Sequence, residues 1–135
     1  MSQSPSDEAL HFFDADMSEV EGASLVGGEV AIFAARSPGR EGPNEDAAAV
    51  LPFGPDAVVL AVADGAGGGR LGHRASVLAL TALGAALDEA RGEGLMLRSA
   101  ILNGIERANQ AVCDLGVGAA TVSYTHLTLP TILLV

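Results

Sequence analysis

Apolar and polar positions change their period twice along the chain. The run from Glu29 to Ala35 (EVAIFAA) opens in alternation, which predicts a strand with one face turned inward. The stretch RSPGREGPNED that follows is built from turn residues. Ala47 to Leu51 (AAAVL), closed by Pro52 and Gly54, predicts a second strand. Ala57 to Ala63 (AVVLAVA) is continuously apolar and predicts a third, buried on both faces or nearly so. Beyond the glycine-dense turn DGAGGGRLG the period lengthens. Ala75 to Ala90 is too long and too rich in Ala and Leu for a strand and reads as a buried helix, interrupted by the mildly unfavourable Gly84. After a break from Arg91 to Gly94, Leu95 to Leu115 reads as a second helix. Leu97, Ile101, Ile105, Ala108 and Val112 form its apolar stripe, and Arg98, Glu106, Arg107 and Gln110 lie off it.

Composition sharpens this picture. A chain of 135 residues fits one ordinary domain, and its 49% apolar residues suffice for a core. With 4% aromatic residues and no Trp, that core must come mainly from Ala, Val and Leu, whose contact areas are small. Met1 to about Gly28 is acidic and carries no Lys or Arg, so it is expected to be a loose, solvated leader with an edge strand near its end. The net charge of -10 repels phosphates and anionic lipid, which disfavours nucleic acid and membrane surfaces as partners. The single Cys113 excludes an internal disulfide and suits a reducing compartment. The start lacks the basic and apolar pattern of a secretory signal, so the expected location is the cytoplasm.

Two acidic motifs flank the second and third strands: Asn44-Glu45-Asp46 before one and Asp64-Gly65 after the other. If those strands pair antiparallel through the Pro52 to Asp56 turn, Asp46 and Asp64 meet at one end of the sheet. Their repulsion would be relieved by a hard divalent cation, because Mg²⁺ and Mn²⁺ prefer oxygen ligands. Gly65 would let a backbone carbonyl approach the same ion. Asp-Gly after a strand is also an ordinary turn, and spacing leaves both readings open. GAGGGRLG could cradle a phosphate but lacks the Lys-Ser/Thr ending of a nucleotide loop. His11, in the leader, is expected to be silent, His73 to be a surface or packing residue, and Cys113 a small hydrophobe near the buried side of its helix.

GREGPNEDAAAV followed by VVLAVADGAGGGRLGHRAS resembles the paired signature of the metal-dependent serine/threonine protein phosphatase (PPM) family. The resemblance runs from about Glu29 to Val122 and implies an α+β fold, a partial PPM-type domain with an antiparallel β-sandwich flanked by helices. It implies hydrolysis of phosphoserine and phosphothreonine in protein substrates with two Mg²⁺ or Mn²⁺ ions in the complete domain. Asp46, Asp64 and the Gly65 carbonyl would contribute to the metal centre, and Glu45 would hold coordinated water. The family's phosphate-gripping arginine stands four positions before the Glu, where this chain has Glu41. Arg40 is the candidate for that role and Arg36 the second. Ala66 replaces a larger residue common between the two family glycines. Other readings are a non-catalytic regulatory or binding module on the same fold, and an unrelated α+β protein in which both motifs are turns.

After Val122 the family pattern stops. The Gly-Asp-Ser segment and later Asp ligands that the resemblance calls for are missing, so 29–122 reads as an incomplete domain that is inactive by itself. VSYTHLTLPT resembles the in-frame translation of a sequencing adaptor, and 123–135 is therefore expected to be a non-native or divergent tail, with no role for Tyr124 or His126.

Overall fold

A computed structural model describes residues 8–25, 28–65, 70–117 and 126–128. In chain order the elements are β1 (Leu10–Phe13), β2 (Glu21–Leu25), β3 (Gly28–Ile32), β4 (Asp46–Pro52), β5 (Val58–Asp64), α1 (Arg70–Gly92), α2 (Leu97–Val117) and β6 (His126–Thr128). Four strands form one antiparallel sheet in the order β1-β4-β5-β6, and β2 pairs with β3 in a separate two-stranded ribbon. The fold is thus mixed α and β, with antiparallel sheets flanked by helices.

The central hairpin of β4 and β5 follows from its turn. Phe53 N–H donates to the Ala57 carbonyl at 2.8 Å, and Gly54 takes a φ of 72° that favours glycine. The register that results sets Ala47 opposite Ala63, Ala49 opposite Ala61 and Leu51 opposite Val59. Because strand side chains alternate between faces, these six residues share one side of the sheet. They join Leu80, Leu83, Leu87 and Ala90 of α1 and Ala100 and Ile101 of α2 in a single core. Small side chains on the sheet let α1 lie close to it. At Gly104 the two helices approach so closely that a Cβ there would stand 2.5 Å from Leu83 Cδ1.

Helix α1 ends as its sequence directs. Gly94, at φ 71°, donates to the Arg91 carbonyl, and Leu95 N–H reaches the Ala90 carbonyl at 2.9 Å, the paired closure of a Schellman motif. The helix begins at Arg70, one turn before the apolar run that predicted it, with Gly72 and His73 inside its first turns.

Three expectations are corrected. The acidic leader is not loose up to its end, since Leu10–Phe13 already pairs with Ala47–Val50 as a strand of the main sheet, while Glu21–Leu25 pairs with β3 as the strand expected near its end. Charge content obscured the short apolar run LHFF. His11 therefore stands in a strand, its ring 5.1 Å from that of Phe13. The β5 strand is buried on one face only. Val62 is 46% exposed on the other, beside a cleft of about 530 Å³ between β3 and the sheet that Asp46 also lines. Cys113 is exposed rather than turned inward. No helix among the described residues is long and apolar enough to cross a membrane. The adaptor-like junction at Val122, Tyr124 and most of the tail lie outside the described residues, whereas His126–Thr128 pairs with Val62–Asp64.

Candidate metal and phosphate site

The two acidic motifs meet at the open end of the β4–β5 ladder, where Asp46 is the register partner of Asp64. Both side chains lie on the even-numbered face, away from the helical core and toward the ribbon. The two carboxyl groups stand close enough to share a hydrogen bond whenever Asp46 is protonated. Burial, that hydrogen bond, and the negative charges of Asp64 and Glu45 together raise the Asp46 pKa above its ordinary value.

Glu45 departs to the opposite side. Its Oε2 lies 2.9 Å from where a Cβ on Gly72 would stand, which sets its carboxylate against the first turn of α1. Its Oε1 is 3.8 Å from Arg40 Nη1. Gly65 donates its N–H to the Glu45 carbonyl at 3.1 Å. A Cβ at Gly65 would overlap the Gly72 carbonyl oxygen and stand 2.5 Å from that of Glu45, so only glycine fits between strand end and helix start. The Gly65 carbonyl oxygen in turn lies 2.8 Å from the Cβ position of Gly72.

The two arginines differ in their engagement. Arg36 is held by Asp16 at 3.3 Å and donates from Nη1 to the Gly42 carbonyl, while its backbone N–H bonds the same aspartate. Arg40 has a side chain 75% exposed and, among the described residues, meets the motif in a long contact to Glu45.

Asn44 is the residue that sequence reasoning undervalued. It is only 5% exposed and ties the motif to its surroundings. Its N–H donates to Asp14 Oδ1 at 2.9 Å, its Nδ2 to the Ala15 carbonyl at 2.8 Å, and its Oδ1 accepts from Asp46 N–H at 3.0 Å. The Asn44 carbonyl accepts from His73 Nδ1 at 3.0 Å. Asp14 and His73 lie 30 and 29 residues away along the chain, and no spacing rule links them to Asn44.

Two carboxylates are hard oxygen donors, and the strain of like charges in the pair is what a divalent cation would relieve, whereas the Gly65 carbonyl lies against Gly72 of α1. The donor set therefore fits Mg²⁺ or Mn²⁺ in part. Among the described residues no group of three or more His, Cys, Asp and Glu side chains is gathered for a metal. Compared with known proteins, the chain matches no family profile, no curated protein and no solved structure.

Proposed function

We propose that this chain carries one half of a metal-dependent protein serine/threonine phosphatase site, as its resemblance to the PPM family implies. The observation that carries the reading is the direct opposition of Asp46 and Asp64 at one end of the ladder. An unrelated protein with two ordinary turns has no need to place two carboxylates in mutual repulsion. Mg²⁺ or Mn²⁺, two ions in the complete domain, would lower the pKa of water and neutralise charge on the phosphoryl group. Asp46 and Asp64 would hold the cation, and the resemblance adds the Gly65 carbonyl to their donors. Arg40, exposed next to Glu45, would orient the phosphate through its planar guanidinium. Glu45 would order water at the motif's inner side. The substrate class is a cytoplasmic phosphoprotein, with neither nucleic acid nor membrane as partner.

The resemblance calls for further acidic ligands from a longer parent protein, and the 135-residue chain is expected to turn over little phosphopeptide with Mn²⁺. The parent should release phosphate from phosphoserine or phosphothreonine peptides and lose that activity in Asp64→Asn. Full activity of that variant would overturn the reading.

A further inference from the structure

We infer that Asp14, Asn44 and His73 form a positioning clamp that fixes Asp46 opposite Asp64. Its importance for cation binding rests on the function proposed above. The clamp itself stands on geometry alone.

Like charge pushes the two aspartates apart, and Asp46 is the terminal residue of β4, where a strand ordinarily frays. Something must hold it. Asn44 does so by accepting the Asp46 N–H on its side-chain oxygen, and Asn44 is in turn immobilised from both sides. Asp14, in the connection after β1, accepts the Asn44 N–H, and the adjacent Ala15 carbonyl accepts its amide. His73, in the first turns of α1, donates to its carbonyl. A carbonyl can only accept, so Nδ1 must carry the proton.

Asp14 adopts a φ of 49°, the left-handed region, and is the only non-glycine residue to do so among those described. Such a conformation persists where the surroundings over-determine it, and the bonds to Asn44 and its neighbour supply that determination. Two distant segments of chain thus converge on the residue two positions before Asp46. All four hydrogen-bonding groups of Asn44, both backbone and both side-chain, are engaged at 2.8 to 3.0 Å. Groups that position ligands in this manner set metal affinity without touching the ion.

The test uses the full 135-residue chain with two readouts. His73→Leu removes the donor, whereas His73→Asn places an amide nitrogen where Nδ1 stands. Asp14→Ala removes the acceptor, and Asp14→Asn retains an oxygen and tolerates the left-handed backbone. In amide hydrogen exchange, His73→Leu and Asp14→Ala should speed exchange at Asp46 about tenfold or more, leaving Leu80 and Leu83 unchanged, and the two Asn variants should restore protection. In titrations with Mn²⁺ alone, the disrupting variants should bind about tenfold more weakly and the Asn variants about as the parent chain. Unchanged exchange at Asp46 in His73→Leu and Asp14→Ala would overturn the clamp. Faster exchange with unchanged Mn²⁺ affinity would overturn its role in cation binding. A chain that binds no Mn²⁺, or whose Asp64→Asn variant binds it equally well, would sink the functional reading, and the exchange data would then decide the clamp by themselves.

Discussion

Asp46 and Asp64 face each other across the last rung of the β4–β5 ladder, an arrangement of two carboxyl groups that folding alone does not favour. Burial is the largest cause of the raised Asp46 pKa, followed by its bond to Asp64 and the charges of Asp64 and Glu45. A carboxyl whose pKa is higher folded than unfolded stabilises the native state fully below its ordinary value of 3.8. That contribution is lost as pH rises through the elevated folded value, and at neutral pH the pair opposes folding. Asp46→Asn should therefore raise the thermal midpoint at pH 7, with the gain shrinking as the pH falls through the elevated Asp46 value and absent below 3.8. Mn²⁺ should raise the midpoint of the parent chain more than that of the variant. Thermal unfolding at both pH values, with and without Mn²⁺, checks this.

Gly65 separates the hairpin from α1 by the width of a missing side chain. The groups a Cβ would strike are the carbonyl oxygens of Gly72 and Glu45, which belong to backbone and cannot swing aside. Gly65→Ala should lower unfolding free energy by about 3 kcal/mol, the upper end for overpacking. The shift in the urea midpoint at constant slope measures it.

Gly84 offers the opposite case. A Cβ there would meet Leu51 Cδ2 at 3.7 Å, an ordinary contact, and the residue lies inside α1. Gly84→Ala should stabilise the chain by about 0.5 to 1 kcal/mol through reduced unfolded-state entropy and better helix propensity. A gain at Gly84 and a loss at Gly65 in the same urea series would separate helix propensity from backbone clearance.

Periodicity carried the central architecture because β4, β5, α1 and α2 bury long, regular apolar sets. The antiparallel pairing through the Pro52 to Asp56 turn was legible for the same reason, and it placed Asp46 opposite Asp64. What escaped was short or distant. LHFF is four residues within an acidic stretch, and its strand character comes from pairing with β4. Asp14 and His73 acquire their meaning only through contacts with Asn44 across about thirty residues of chain. The alternation that buries Ala47 and Ala63 was visible, but the exposure of Val62 depended on how the β2–β3 ribbon stands over the other face.

The two arginines of the β3–β4 connection make a prediction that divides structure from chemistry. Arg36 is engaged by Asp16 and Gly42 at an exposed site, so Arg36→Ala should cost stability within about 1 kcal/mol and leave phosphate handling intact. Among the described residues Arg40 makes a single side-chain ion contact, 3.8 Å to Glu45, and its side chain is 75% exposed, so its removal should scarcely change stability. If it grips substrate phosphate, as proposed, the lost charge-assisted bonds are worth about 1.5 to 3 kcal/mol. Because each 1.4 kcal/mol is about tenfold, kcat/KM of the phosphatase proposed above should fall roughly 10- to 100-fold in Arg40→Ala. Arg40→Lys should recover part of it, since an ammonium keeps the charge and loses the planar fork. Steady-state kinetics on a phosphopeptide, beside urea unfolding of the same variants, reads both effects. A large kinetic loss in Arg36→Ala with none in Arg40→Ala would reassign the phosphate contact to the more tightly held arginine. In that case substrate binding would have to break the Arg36–Asp16 pair, and Asp16→Asn should then improve KM.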